Sequence, residues 1–315
     1  MIANRVLKFI LKSGQSSRMI RVLLFILLFA CSYVAPADAQ DKGLPTGNFE
    51  SMGGTEVSFV QQVVDPYTLL LEDGRLVHLV GLNFPDYNPH EPGEISVTGL
   101  RILRDMLEGR EVNLFQTEKK NFGRINRMGH DIAQVERRDD NVWIQGSMVY
   151  LGLASVRTTK HNSEMADQLY KLENAARFKK LGLWAVNNFD VITPEDTADN
   201  LESFRIVEGK IVTATLKKNW IYLNFGNDWR TDFTVAISPS DRRAFSEASL
   251  DPLEWSGKTV RVRGWIVNYN GPYMEINHVQ AIELIKDKVD AKDITVEPEA
   301  ESEKEPVVKS IESDQ

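Results

Sequence analysis

Four basic residues lie within nine positions near the middle of the chain: Lys119, Lys120, Arg124 and Arg127. Lysine and arginine contact phosphate oxygens in proteins, and the arginine fork can form two parallel hydrogen bonds with one phosphate. This run is therefore the best local candidate for a phosphate contact. A charge run this short is more often a solvated turn, so the sequence alone gives it little weight.

Aromatic and basic side chains are also dense towards the C-terminal end of the chain. Such a mixture is able to stack the bases of single-stranded nucleic acid. In the predicted strand 220–225, however, residues alternate between two faces, so about half of these aromatics belong to a core. The pattern therefore favours binding of some ligand or partner over base stacking. The residues are Trp220, Tyr222, Phe225, Trp229, Trp265, Tyr269 and Tyr273, with Lys217, Lys218, Arg230, Arg261 and Arg263 nearby.

The charge balance opposes general binding to a polyanion. The 315 residues carry a net charge of −8, with 17 basic and 24 acidic residues in 40–200 and ten of each in 201–285. Non-specific nucleic-acid binding depends on neutralising phosphates with a basic surface, which this distribution does not supply. The 42% of hydrophobic residues and 26% of charged residues are typical of globular proteins and exclude a fibrous or wholly disordered chain.

The N-terminus has the features of a secretory signal peptide. An apolar run at 22–30 follows two arginines, and Ala-Asp-Ala at 37–39 matches the small-residue pattern of a cleavage site. We therefore expect a bacterial periplasmic or secreted protein, with residues 1–39 removed and no transmembrane segment in the mature chain. Two alternatives stay open: translation from Met1 or Met19, and cleavage after Ala39 or lipid attachment at Cys31.

Composition and length predict two folded domains. The N-terminal domain shows short β-rich runs, a hairpin turn at Asp73-Gly74, and helical spacing at 95–107, 142–151 and 164–180. The C-terminal domain shows five or six strands and one short helix, which is typical of a small closed barrel of the oligonucleotide-binding (OB) type. The expected boundaries are a signal peptide at 1–39, a linker at 40–54, the first domain at 55–186, a linker at 187–203, the second domain at 204–285 and a disordered acidic tail at 286–315.

Five short motifs in the first domain occur in an order that resembles the staphylococcal nuclease (thermonuclease) family over about residues 55–185. Each motif is weak alone, but five in order with compatible spacing are specific. The motifs lie at 64–68 with Asp73-Gly74, at 78–86 (His-Leu-Val-Gly-Leu-Asn-Phe-Pro-Asp), at 126–133 (Asn-Arg-Met-Gly-His-Asp-Ile-Ala), at 152–154, and at 172–177 with Gly182-Leu-Trp184.

The resemblance implies a mainly β (α+β) protein. Its first domain would be a five-stranded OB barrel packed against three helices, followed by the second, smaller OB-like barrel. It also implies calcium-assisted hydrolysis of phosphodiester bonds. In that chemistry two carboxylates and a carbonyl hold the cation, a glutamate activates water, and two arginines bind the phosphoryl oxygens.

Carried over position by position, most of these groups are replaced. The resemblance places Tyr67 and Asn83 at the two metal-carboxylate positions, with Phe84 at the carbonyl position. The base position holds Asp86. The two arginine positions hold His78 and His130, although Arg124 offers an alternative alignment for the second, with Arg127 close to it. Tyr67 is interpreted as a turn residue that covers the empty metal pocket. Such losses predict weak calcium binding and impaired catalysis.

Three interpretations remain. The favoured one is a thermonuclease-family protein with lost or impaired calcium-dependent phosphodiesterase activity, acting as a binding module without a cofactor. The second is an active nuclease that uses Asp86, His78 and His130 with calcium or a transition metal such as zinc. The third is a structural envelope protein that binds a partner through its second barrel. Single-stranded nucleic acid and an envelope protein are the candidate partners.

Overall fold

In the computed structural model of the chain, the described residues are 43–119, 121–186, 189–228 and 230–285. The predicted signal peptide at 1–39 and acidic tail at 286–315 lie outside this part, as do Lys120 and Trp229. The elements below all belong to one compact unit that begins at Pro45.

The first domain is built on a closed five-stranded barrel with the strand order β1-β2-β3-β6-β5. Strands β3 and β6 pair in parallel, and the other pairs are antiparallel. Asp73-Gly74 forms the predicted hairpin turn, since the Asp73 carboxylate accepts a hydrogen bond from the Arg75 amide and Gly74 takes a φ of 86°. The strands are β1 (Gly53–Asp65), β2 (Thr68–Leu71), β3 (Leu76–Leu79), β5 (Glu111–Gln116) and β6 (Asp131–Arg137).

Three helices complete this domain: α1 (Glu94–Leu107), α2 (Ile144–Tyr150) and α3 (Ala166–Phe178). A small separate sheet pairs β4 (Gly81–Asn83) with β7 (Ser155–Arg157). The predicted mainly β fold, with an OB-type barrel and several helices, is confirmed. Helix α3 ends earlier than Gly182, because Lys180 already takes a left-handed φ of 52°. Gly182–Ala185 then forms a 3₁₀ turn.

The C-terminal strands form a seven-stranded sheet with the order β14-β12-β13-β11-β10-β9, and β8 also pairs with β12. Strands β11 and β13 pair in parallel. The predicted closed OB-like barrel is not confirmed by this strand order. The elements are β8 (Ser203–Lys210), β9 (Thr213–Lys217), β10 (Trp220–Asn224), β11 (Thr234–Ile237), helix α4 (Arg242–Glu247), β12 (Thr259–Asn268), β13 (Pro272–Ile276) and β14 (Ile282–Leu284).

The sequence suggests one continuous strand over 204–214, but the structure divides it into β8 and β9. The division occurs where the backbone changes its hydrogen-bonding partner. The Ile211 amide donates to the Lys258 carbonyl, whereas the Val212 amide donates to the Asn224 carbonyl. The chain thus stops pairing beside β12 and starts pairing with β10 within two residues.

Residues in both predicted linkers pack against the folded elements. Phe49 stacks on Phe115 at 3.9 Å between ring centroids and meets the edge of Trp143. Phe189 and Val191 pack against a cluster that includes Trp184. These segments therefore contribute to the packed structure. Within the described ranges, no helix has the length and apolarity that a membrane-spanning helix needs.

A buried ionic cluster connects α3 with the C-terminal sheet. Arg263 on β12 donates to Glu173 on α3 at 3.0 Å and to Glu283 on β14 at 2.8 Å. The exposed fraction is 2% for the Arg263 side chain and 0% for that of Glu173. The Arg263 guanidinium also lies 4.1 Å from the ring centroid of Tyr170, whose hydroxyl donates to the Gln280 carbonyl.

A second buried contact connects the same two regions. The Thr158 hydroxyl lies 2.8 Å from Nε2 of His278, and Nδ1 of His278 lies 2.7 Å from Oδ1 of Asn277. Lys160 and Asp241 form an ion pair nearby, with 2.5 Å between Nζ and Oδ1. The two regions are therefore joined by polar contacts as well as by apolar packing.

Candidate active site

Tyr67 is the centre of an aromatic cluster at one end of the first barrel. Its ring stacks on His78 at 5.8 Å and meets Phe84 edge-on at 5.1 Å and Tyr87 at 5.8 Å. The Tyr67 hydroxyl accepts a hydrogen bond from the Phe84 amide at 2.8 Å. We call these four residues the Tyr67 cluster. Tyr67 sits between β1 and β2 and His78 lies on β3, where Thr68 is its cross-strand partner.

Burial determines the protonation of two members of this cluster. It raises the pKa of the Tyr67 phenol above its usual value, so the hydroxyl stays protonated at neutral pH. Burial also lowers the pKa of His78, with Asp65 opposing the shift and His130 and Arg157 adding to it. His78 is therefore a neutral imidazole at pH 7, where an arginine would carry a positive charge.

Asp86 is engaged at the start of helix α1. Its Oδ2 accepts hydrogen bonds from the Ile95 amide at 2.9 Å and the Ser96 amide at 3.2 Å, and its Oδ1 accepts one from the Ser96 hydroxyl. The first amides of a helix have no partner within the helix, and a carboxylate there satisfies them and interacts well with the helix dipole. Both oxygens of Asp86 are thus used by α1.

Asn83 is buried in β4 opposite Ser155 of β7. Its Nδ2 donates to the Ser155 hydroxyl at 3.0 Å. The adjacent Phe84 is only 2% exposed, and its amide is already paired with Tyr67. Neither residue presents a charged oxygen to solvent.

The remaining predicted site residues lie in the turn before β6. His130 is half-buried and close enough to His78 to affect its pKa. Arg124 is directed elsewhere: its Nε donates to the Thr117 carbonyl at 2.9 Å, and its side chain lines a groove with Glu56 and Arg75. Arg127 is exposed. The structure therefore brings Tyr67, His78 and Phe84 into contact, with His130 near enough for its charge to act on His78. The contacts of Arg124 lie outside the Tyr67 cluster.

Residues 79–186 match the family model for staphylococcal nuclease homologues. The first domain is a staphylococcal nuclease-like domain. The matched range contains Asn83, Asp86 and His130, whereas Tyr67 and His78 precede it. A comparison with curated proteins found no match for the chain.

The side chains of the nuclease-like domain do not fit the calcium ion on which its family generally depends. Calcium takes about six to eight oxygen ligands, and several are usually carboxylates. Of the predicted ligand positions, one holds the Tyr67 phenol, which is hydrogen-bonded to the Phe84 amide, and another holds the neutral Asn83 amide, which is hydrogen-bonded to Ser155. The Asp86 carboxylate caps α1. Within the described ranges, no three His, Cys, Asp or Glu side chains are grouped closely enough to hold a metal.

Arg157 is a basic residue beside the Tyr67 cluster that sequence reasoning missed. Its charge opposes the burial that raises the pKa of Tyr67 and adds to the burial that lowers the pKa of His78. Its guanidinium lies 5.3 Å from the ring centroid of Phe204. The sequence did not reveal it, because the three-residue strand β7 is too short for a periodic signal. Its pairing with β4 alone places it near the nuclease-like site.

Replacing Asp86 with alanine is expected to lower the free energy of unfolding by about 1–2 kcal/mol, because the first amides of α1 lose their acceptor. Asp86→Asn should lose less, since an amide oxygen still accepts. Urea unfolding followed by circular dichroism measures the change. The exposed Glu91→Ala is the matched control, and equal stability of the Asp86 and Glu91 variants would contradict the capping role.

Proposed function

We propose that the nuclease-like domain has lost the calcium-dependent phosphodiesterase activity of its family, and that the chain acts as a binding module. The observation that carries this proposal is the Tyr67 cluster. The resemblance places the Tyr67 phenol at a metal-carboxylate position, and the phenol is packed and hydrogen-bonded against Phe84. The acidic balance of residues 40–200 adds support, because it repels a polyanionic substrate.

The chemistry of phosphodiester hydrolysis explains the size of the expected loss. Negative charge builds on the phosphoryl oxygens in the transition state, and fixed cationic donors stabilise it. Losing one such donor typically lowers the rate by about 10²–10³-fold. His78 is held neutral by burial, so it cannot replace the charge of an arginine at neutral pH. Both oxygens of the Asp86 carboxylate are hydrogen-bonded to α1, so the carboxylate is not free to orient an attacking water.

A cleavage assay with the full chain tests the proposal. We expect no calcium-dependent cleavage of single-stranded DNA above the buffer rate. Calcium-dependent cleavage that disappears in Asp86→Ala and persists in Glu91→Ala would show that the family mechanism operates. Zinc- or manganese-dependent cleavage that disappears in His78→Ala would instead support a nuclease with altered catalytic residues, and would equally overturn the proposal.

Export to the periplasm or the cell exterior is a second part of the proposal. It is supported by the apolar run at 22–30 and the small residues at 37–39. A partner met there would be an envelope component or a single nucleic-acid strand. Nuclease-like domains of this family generally bind nucleic acids, which keeps the second of these open.

A further inference from the structure

The C-terminal sheet carries a groove of about 710 Å³ on the face of β9, β10 and β11. Alternation along β10 creates this face. Ile221 and Leu223 point into the core, whereas Trp220, Tyr222 and Asn224 are half-buried and line the groove. The predicted alternation of this strand between a core face and an outer face is thus confirmed. The volume lies within the range of about 300–1,000 Å³ that is usual for small-molecule sites.

Four aromatic rings line the groove in two pairs. Trp220 and Tyr222 on β10 lie 6.4 Å apart with an interplanar angle of 23°. Tyr269, in the turn after β12, and Tyr273, on β13, have ring centroids 5.4 Å apart and an interplanar angle of 64°. Burial raises the pKa of Tyr273 to about 12, with charge effects from Glu275, Tyr222 and Tyr269 adding to it. The two pairs therefore share one surface, and the Tyr273 hydroxyl remains protonated.

Neutral hydrogen-bonding side chains fill the space between the rings. The Asn224 amide donates to the Thr213 hydroxyl at 3.1 Å, and the Thr234 hydroxyl donates to the Asn224 carbonyl oxygen at 3.2 Å. These two hydrogen bonds fix the orientation of three groove side chains on neighbouring strands. Asn227 and Asn270 add two more amides at the rim. Amides and hydroxyls arranged in this way suit a ligand whose groups both donate and accept.

The charged groups among the described lining residues are Lys217 and Lys218, at the turn between β9 and β10. One end of the groove is therefore positive. Two other basic residues that the sequence placed near the aromatics are used internally: Arg261 pairs with Glu208, and Arg263 is buried against Glu173. Because both arginines are held in ion pairs within the protein, they do not provide a basic surface for the phosphates of a long polyanion.

We propose that this groove binds an acidic oligosaccharide. The apolar C–H face of a sugar ring packs on an aromatic ring, and its hydroxyl edge bonds to amides and hydroxyls. A sugar carboxylate meets Lys218 at the end of the groove. A single nucleic-acid strand has one phosphate per nucleotide, and its binding needs a basic track along the whole path. A basic side chain at one end of the groove matches a ligand with sparse charge better.

The inference is independent of whether the nuclease-like domain is catalytic, because the groove residues all lie in the C-terminal sheet. Isothermal titration calorimetry of the full chain tests it with three probes. These are tetragalacturonate, the neutral cellotetraose, and an oligothymidylate of matched length. We expect tetragalacturonate to bind most tightly, with an affinity that decreases as salt screens Lys218.

Variants locate the binding. Trp220→Ala should weaken tetragalacturonate binding by about tenfold or more, corresponding to about 1.4 kcal/mol. Trp265→Ala is the matched control, because Trp265 is 49% exposed and is not among the groove residues. Tyr269→Ala, at a site that is 65% exposed, supplies a second groove variant if Trp220→Ala fails to fold. Lys218→Gln should weaken binding of the acidic sugar and leave cellotetraose unaffected.

Three results would overturn the proposal. The first is the absence of tetragalacturonate binding. The second is tighter binding of the oligothymidylate that depends on Trp220, which would assign the groove to nucleic acid. The third is an equal loss of affinity in Trp265→Ala and Trp220→Ala. None of these results bears on the cleavage assay, so the proposal for the groove and the proposal of lost hydrolysis can be contradicted separately.

Discussion

Replacing Arg263 with methionine is expected to lower the free energy of unfolding by about 3–5 kcal/mol, the usual result of breaking a buried ion pair by removing one partner. Burial disfavours the charge of Arg263, but Glu173 and the other groups around it outweigh this effect and hold its pKa above the ordinary value. Without Arg263, the fully buried carboxylate of Glu173 would lose its cation.

The expected loss is large because Glu173 has a second role. Its Oε1 also accepts a hydrogen bond from the Val156 amide at 2.7 Å, next to Arg157. The carboxylate therefore cannot move to solvent without breaking a backbone contact inside the nuclease-like domain. Urea unfolding of the full chain, followed by circular dichroism, gives the difference between Arg263→Met and the unchanged protein.

Two further variants separate the buried pair from a general charge effect. Arg243→Met removes one partner of an exposed ion pair with Glu247 and should change stability by about 0.5 kcal/mol or less. The double variant Arg263→Met with Glu173→Met should recover only part of the loss, because the Glu173 charge is no longer buried alone but the Val156 amide has lost its acceptor. If Arg263→Met stayed within about 0.5 kcal/mol of the unchanged protein, the typical range of a surface substitution, this account of the cluster would be wrong.

Acidification is expected to destabilise the protein partly through His278. Burial lowers the pKa of His278 from 6.5 to about 4 in the folded protein, with Asp241 opposing the shift and Lys119 and Lys160 adding to it. Its two hydrogen bonds fit a neutral ring in which Nδ1 donates to Asn277 and Nε2 accepts from Thr158.

The direction of this pH effect follows from the number of protons that His278 binds in the unfolded and the folded protein. Below about pH 6.5 the unfolded chain binds a proton at His278, whereas the folded protein does not do so until about pH 4. The stabilisation from the neutral ring is therefore complete above pH 6.5 and is lost as the pH falls towards 4. At about 1.4 kcal/mol per pKa unit, the full loss is about 3 kcal/mol.

A comparison of pH profiles isolates this contribution. His278→Gln should be less stable at pH 7 but should show a shallower loss of stability between pH 7 and pH 4. His90→Gln alters an exposed loop histidine and should leave the profile unchanged. Unfolding free energies at several pH values provide the measurement, and parallel profiles for the unchanged protein and His278→Gln would rule out the contribution of His278.

Features that depend on local sequence were predictable. The Asp73-Gly74 hairpin, the helix over 94–107 and the alternation of β10 each follow from a short pattern that the structure confirms. The features that were missed depend on distant partners. Glu173 and Arg263 are 90 positions apart, and nothing near either residue indicates the pairing. The division of β8 from β9 depends on which carbonyls lie opposite Ile211 and Val212.

Asp86 shows why the role of a site residue is harder to predict than its position. The resemblance predicts that Asp86 occupies the base position, and the structure shows both of its oxygens hydrogen-bonded to α1. Whether it acts as a base depends on the loop to α1, which brings the Ile95 amide, nine residues later, against its oxygen. A motif predicts the position, but the hydrogen bonds decide what the carboxylate does.

The ionic cluster between α3 and β12 also limits where the chain can be cut into separate fragments, and which of its regions can be recombined with other domains. A break within 187–203 would separate Glu173 from Arg263, and each fragment would keep a charge that matches only the other. The same cut would separate Thr158 from His278. The two regions therefore depend on each other for stability. Joining either region to an unrelated domain would also require replacing the buried polar residues that now contact the other region.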